Sequence, residues 1–420
     1  MSMFILDVLL ALLGVFALGG FIVIFKKGME YYKDRFLDDK IGGWMMKQEN
    51  VFVQLFPPAE NIRSLSEMEG FFLNLHSTLS GKSKKDTYTK GKWYDSFVFE
   101  IHSRGGQIGF FCRLNKNHLP LFRSSLVAHY PGTGIIESPD PIGHWPGNWE
   151  GKVGPYTYCY GTDIQVVGGE HFPLKSWKAF QRGSDAPTSD PINVLISSME
   201  DVDPGDYIIL QYILTPRMEG DKIKEWKKAL KDLKHEFATN AAVETTDAGQ
   251  VQVLTRSERD IIDSVEAKIN ASNFQSKIRV LLLSDNPGPQ RLLSRVMNFL
   301  KEYSTENVFM KPAGDTKTTV EDSGEQFGFL GPKIGVFLDD FYWKKEQKYR
   351  LRNMYKAARN RSGSRGIDKR YISAESLASL LHFPTTFMDN TNSIINKTNI
   401  DYAEGNSVIQ GGQPPANLPT

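Results

Sequence analysis

Cysteine is nearly missing: only Cys112 and Cys159 occur among the 420 residues. They match no C-x-x-C redox or zinc spacing, and so sparse a usage fits a reducing compartment. Net charge is nearly missing too, at +1 from 50 basic and 49 acidic side chains. Whole-chain attraction to nucleic acid is thereby excluded, and any such binding needs a local patch. The eight histidines, at 76, 102, 118, 129, 144, 171, 235 and 382, form no H-E-x-x-H, and there is no G-x-S-x-G elbow. DVDPGD (201–206) has the flavour of a calcium loop, but Gly205 sits where a ligand is needed and Tyr212 replaces the bidentate glutamate. It reads as a turn.

What is present begins with a long apolar run. Phe4 to Phe25, FILDVLLALLGVFALGGFIVIF, carries one charge, Asp7. At about 1.5 Å per residue such a helix would span the roughly 30 Å hydrocarbon core of a bilayer. A secretory signal peptide would want a basic start and a shorter run, and here no Lys or Arg precedes the run. The expectation is a retained single-pass anchor in the inner (plasma) membrane. Lys26 and Lys27 close the run, which places the N-terminus outside and the bulk in the cytoplasm.

HSTLSGKS (76–83) ends like a phosphate-binding loop. The G-x-x-x-x-G-K-[ST] pattern, however, has His76 in place of its first glycine. The stretch also closes a helical stripe (Leu65, Met68, Phe72, Leu75, Leu79) rather than a strand, with Ser64 and Glu67 as a capping box. Gly81 then reads as a helix stop, and KSKKDTYTKGK beyond it is polar and aperiodic. IGVFLDD (334–340), the acidic-tipped segment that would partner such a loop, is left as a strand or loop.

Alternating and helical stretches set the organisation. NVFVQLF, the Leu65 helix, DSFVFEIHS, QIGFFCRL, HLPLFRSSLVAHYP and TGIIES follow in the order β-α-β-β-α-β, the pattern of a ferredoxin-like sandwich. DYIILQYILTP, two helices, KIRVLLLS, a Pro-started helix and NVFMK make a second α+β block. The expected fold class is α+β: an N-terminal transmembrane helix, two ferredoxin-like units in series and a helical basic tail. The expected boundaries are 1–27 anchor, 28–44 juxtamembrane linker, 45–138 first unit, 139–205 loop-rich insertion, 206–310 second unit, 311–340 loop, 341–385 basic helical tail and 386–420 flexible end.

The tail is the local patch that the net charge requires. Phe341 to Arg370 holds eleven Lys/Arg against Glu346 and Asp368, with Tyr342, Trp343, Tyr349 and Tyr355 interleaved. Such aromatics stack on exposed bases or seat at a membrane interface. Lys344, Lys345, Lys348, Arg350, Arg352, Lys356, Arg359 and Arg361 are the candidates for DNA or partner contact. The bland alternative is a solvated helix with its aromatics packed inward. The second basic helix, 222–237, reads as core-facing on Ile223, Trp226, Leu230, Leu233 and Phe237.

FVFEIHSRGGQIGFFCRL, LVAHYPGTGIIES, HFPLKSWKAF, DPINVLISSMEDVDPGDYIILQYILTP, AESLASLLHFP and the terminal QPPANLPT stand in one order. That order resembles the membrane-proximal region, a domain of unknown function, found before the motor in bacterial type IV secretion coupling-protein ATPases (TraD/TraG-like and HerA-like). The resemblance covers roughly residues 45–420 and implies a platform beside a translocating ATPase, with the chain stopping at Thr420 where that motor would begin. It supplies no catalytic, metal or cofactor residue. The expected function is therefore a non-enzymatic, membrane-anchored assembly subunit of a DNA-transfer system, without cofactor. Its expected partners are the membrane, a P-loop ATPase supplied by another chain, DNA through the basic tail, and further copies of itself. The alternatives are an enzyme with dispersed catalytic residues and an extracytoplasmic receptor.

Overall fold

The fold is taken from a computed structural model. It describes residues 47–58, 64–78, 83–180, 190–217, 220–240, 242–246, 249–318 and 332–384, with Gly28, Phe36, Lys40, Ile41, Gly43 and Trp44 before them. By compactness the chain divides into a small unit, 1–49 with 80–94, and a large one, 50–79 with 95–420.

The large unit is built on one nine-stranded sheet, in which every pairing between its strands is antiparallel. Its first half holds β1 (Asn50–Phe56), helix α1 (Leu65–His76), β2 (Phe97–Arg104), β3 (Gln107–Asn115), a helix Leu119–His129 and β4 (Gly134–Ser138). Its second half holds β5 (Tyr158–Gly168), a helix Pro191–Glu200, β6 (Asp206–Pro216), β9 (Asn273–Ser284), a helix Leu293–Lys301 and β10 (Val308–Pro312). Across the sheet the strands run β10-β5-β9-β6-β2-β3-β1-β4. Each half thus places its first, second, third and fourth strands in the order fourth-first-third-second. The halves meet where β2 and β6, the second strand of each, pair antiparallel from Phe97↔Leu214 to Arg104↔Tyr207. No residue-level repeat accompanies this repeated order.

In chain order the remaining elements are α2 (Lys84–Lys90), in the small unit, then α3 (Leu119–His129) and α4 (Pro191–Glu200). Between β6 and β9 the second half inserts α5 (Gly220–Asn240), a hairpin β7 (Ala242–Thr246) and β8 (Gly249–Val253), and α6 (Arg256–Asn270). Then come α7 (Leu293–Lys301), α8 (Pro332–Arg359), β11 (Arg370–Ser373) and α9 (Ala374–Leu380). Strand β11 pairs with the start of β9, past the point where β5 stops pairing with it.

The sheet has two different faces because alternate residues of each strand point opposite ways. One face is apolar: Phe99, Ile101, Phe110, Cys112, Ile208, Leu210, Ile278 and Val280 join one core with α1, α3, α4, α7 and α9. Its centre is a ring cluster in which Phe72 meets Phe99 and Phe274 edge-on at 5.9 and 6.0 Å, linking the two halves. The other face carries Glu100, His102, Gln211, Lys277 and Arg279, all buried. A Trp/Tyr-rich stretch around Trp145, Trp149 and Tyr156 covers part of it, together with Tyr355 and Ala358 of α8.

These observations correct several expectations. Among the described residues no helix is long and apolar enough to cross a membrane, so the spanning helix is not found. The run Phe4–Phe25 on which it rested lies outside the described residues. Helix α8 has the length, at 28 residues, but its second half is densely charged. The two α+β units are not consecutive bodies but halves of one sheet, and the basic tail packs on that sheet instead of standing apart. In the stretch 139–205, read as loop-rich with a few β pieces, the structure has the eleven-residue strand β5 and, beyond that expectation, helix α4. IGVFLDD is neither strand nor loop: Pro332 opens α8, as proline does at a first helical turn, and the helix runs through to Arg359.

HSTLSGKS falls partly within the described residues. His76 ends α1, with Nε2 3.1 Å from the Asn273 carbonyl and its ring against Phe274. Gly81 and Lys82 lie outside the described residues. In the small unit Ser83 caps a seven-residue helix, Lys84–Lys90, where aperiodic loop was expected. The capping box at Ser64 is not made: Ser64 accepts from Ser66, while the Glu67 carboxylate meets His129 Nδ1 at 2.8 Å.

Candidate functional site

The eight basic residues singled out in the tail divide according to what α8 packs against. Arg361 follows the helix with a φ of +53°, the sole positive-φ non-glycine among the described residues. An arginine adopts that conformation only where its surroundings hold it. Its buried guanidinium donates to Glu100 (2.8 and 3.0 Å) and to Asp140 (2.9 and 2.7 Å), and it lies 4.4 Å from the Phe52 ring centroid. Glu100 also accepts from Gln211 Nε2 at 2.6 Å and meets His102 Nε2 at 3.1 Å, and His102 Nδ1 lies 2.7 Å from the Tyr207 hydroxyl. Burial alone would raise the Glu100 carboxyl; Arg361 and His102 overcome it and hold it at about 2.

A second buried arginine completes the attachment from the sheet side. Arg279 on β9 pairs with Asp163 at 2.7 Å and donates to the carbonyls of Ala357 (2.9 Å), Ser362 (3.1 Å) and Arg365 (2.8 Å). Cations at a helix C-terminus satisfy its last carbonyls and oppose its dipole. Lys277 Nζ donates to the Gly363 and Arg365 carbonyls at 2.9 and 2.8 Å. Arg359 donates to the Trp145 carbonyl at 2.8 Å and the Gly143 carbonyl at 3.0 Å, and Arg350 is held by Glu346 and the Gly314 carbonyl. Arg350, Arg359 and Arg361 are thus fastenings of the fold and are withdrawn as contact candidates.

The other five remain on the surface. Lys344, Lys345, Lys348 and Arg352 are exposed and Lys356 is half-buried. Residues 344, 348 and 352 recur every fourth position, so they line one face of α8, with Tyr349 beside them at 63% exposure. One acid, Glu346, falls within 344–352, and it is taken by Arg350. The other Lys-rich helix is α5. It buries Trp226 with Ile223, Leu230 and Leu233 around it, and its Lys222, Lys224 and Lys234 are met by Glu225, Asp221 and Glu266.

Glu100, His102 and Tyr207 resemble an acid–base relay in their spacing, but Glu100 and His102 are fully buried and Trp145 packs edge-on over Tyr207. The arrangement orients groups inside the fold. Among the described residues no cluster of His, Cys, Asp or Glu could hold a metal ion. Sequence reasoning missed Glu100, Asp140, Asp163 and Arg279; its available signal was a charged pair at i and i+2 within an apolar strand, FVFEIHS and KIRVLLLS.

Compared with known proteins, the chain matches no family model and no curated protein. The likeness to coupling-protein ATPases therefore stands on the order of its segments alone.

Two buried lysines and a half-buried one make stability depend on pH. Burial lowers Lys268 and Lys277 from 10.5 to about 7, and Lys369 to about 8. Between those values and 10.5 the unfolded chain binds more protons than the folded one, so stability rises with pH across that window. The slope expected is up to about 1.4 kcal/mol per pH unit for each such lysine. Urea unfolding at about pH 7 and about pH 9 should show the higher midpoint at the higher pH, and an unchanged or lower midpoint there refutes the account.

Proposed function

We propose that the chain is a non-enzymatic scaffold subunit of a bacterial type IV secretion or DNA-transfer system, holding a nucleic-acid phosphate backbone on the outer face of α8. The observation that carries this reading is the division of the basic helix. One end is fastened into the sheet by Arg279 and Arg361, while Lys344, Lys345, Lys348 and Arg352 stay exposed around Tyr349. Clustered cations on a rigid support bind phosphate by releasing counterions, and an exposed ring among them can stack on a base. Near-zero net charge confines the attraction to this face. The segment order supports a translocating ATPase as neighbour.

Titrating single- and double-stranded DNA into the full chain over a range of salt concentrations tests this. Affinity should fall on a log–log plot with a slope of about −0.7 to −0.9 for each phosphate neutralised, and a flat plot rejects the reading.

A further inference from the structure

We propose that β4 is a pairing edge for a second copy of this chain, joined by a two-fold axis through Ile136. The eight-strand run of the sheet ends in two outer strands, β4 and β10, which hold equivalent places in the repeated order. They are finished differently. Strand β10 ends in Lys311-Pro312, with the lysine exposed. Lysine and proline on an edge discourage a further strand, the one by charge and solvation and the other by lacking an N–H. Strand β4, Gly-Ile-Ile-Glu-Ser, contains neither. Among the described residues it pairs on one side only, with β1.

Apolar surface lies exposed on both sides of that edge. Ile135 packs toward the core, and Glu137, on the same side of the strand, reaches Arg123 of α3 at 3.0 Å. Ile136 therefore points to the opposite face, where it is 56% exposed. On the α3 side Val127, one turn after Arg123, is 45% exposed. A lone edge residue would be unremarkable, but Ile136 at the centre of the strand is joined by Val127 on the helix that Glu137 reaches, and a strand-to-strand interface can bury both.

The edge is also self-complementary, which selects a second copy as its occupant. Arg123 and Glu137 give it one charge of each sign, so its two-fold image meets no net like charge. Antiparallel pairing about Ile136 sets that residue against its own copy and Ile135 against Glu137 of the copy, placing isoleucines as a direct cross-strand pair. Antiparallel pairing is also how every strand of this sheet already pairs. Five residues and one helix face fall short of the roughly 800 Å² per partner of a standard interface, so the dimer should dissociate in about the micromolar range.

Light scattering and sedimentation of the full chain, from roughly 1 to 100 micromolar, test this. The mass should rise with concentration from the 47.5 kDa monomer toward the dimer. Ile136→Lys changes an exposed side chain, so it should weaken association about tenfold or more while leaving the thermal midpoint unchanged. Phe309→Lys, on the equivalent edge β10, should have no effect. Ile136→Cys should cross-link to itself under mild oxidation, since opposed antiparallel residues sit about 4.5–5.5 Å apart, within disulfide reach. Wild type, with Cys112 and Cys159 present, sets the background. A chain that stays monomeric overturns the proposal. So does a dimer indifferent to Ile136→Lys, or one that Phe309→Lys dissolves instead. A monomer in which the β4 amides facing away from β1 are protected from exchange also overturns it, by assigning the edge to a segment of the chain's own.

Discussion

Arg361→Ala should cost about 3–5 kcal/mol, a large part of the roughly 5–15 kcal/mol that folds a typical domain. The magnitude comes from what is left behind. Glu100 is fully buried, and without the guanidinium its carboxylate keeps only Gln211 and His102, which cannot replace two charged donors. Asp140 loses both of its bonds to Arg361, but it sits nearer the surface and water can answer part of that loss. A urea titration reads the effect as a lower midpoint at unchanged slope. Arg365→Ala is the control: that side chain is exposed and only its carbonyl is used by Lys277 and Arg279, so the change should stay within about 0.5 kcal/mol.

The same pair gives an acid limb with a definite sign. Glu100 is lowered from 4.5 to about 2, so its contribution is complete above the unfolded value and is lost as pH falls through about 2. In Arg361→Ala the largest attraction holding that carboxyl down is gone, and this limb should shrink. An acid limb unaltered by Arg361→Ala would mean that the pair does not hold the carboxyl down.

Which features were legible in the sequence follows from how far apart the cooperating residues lie. The first half of the sheet could be read because its signals are local. NVFVQLF alternates, the Leu65 helix has its stripe, and Arg104-Gly105-Gly106 makes a tight turn with positive φ at both glycines. Strand β5, YCYGTDIQVVG, could not be read so easily. It lies between two partners, most of it is covered, and Gly161 interrupts its pattern where Met354 of α8 comes close. That the halves fuse through β2 and β6 depends on a register between residues about a hundred positions apart, which no local pattern encodes.

The basic tail shows the same limit inside a single helix. Lys344 and Arg361 are equivalent by composition, and a count of cations treats them alike. Arg361 is separated from Glu100 by 261 residues and from Asp140 by 221, so its role is fixed only when the strand and the tail meet. The clue lay on the strand: a carboxylate and an imidazole on one side of FVFEIHS must find buried partners or remain unpaired at high cost.

The second large effect should come from the cations that remain outside. Changing Lys344, Lys345, Lys348 and Arg352 together to alanine should weaken DNA binding and flatten its salt dependence by about three units of slope, about 0.7 to 0.9 for each phosphate contact removed. These side chains are exposed, so urea unfolding of the quadruple variant should match wild type within about 0.5 kcal/mol per site. Tyr349→Ala separates stacking from charge. It should weaken single-stranded binding by about 1–3 kcal/mol while leaving the salt slope unchanged, because a ring releases no counterions. The comparison with Arg361→Ala decides the division of labour along α8. If the scaffold reading holds, the quadruple variant loses DNA and keeps its fold, whereas Arg361→Ala loses stability first and binding only as the helix comes loose. A quadruple variant that binds with the wild-type slope would place any DNA contact elsewhere and reduce the α8 cations to a solvated face.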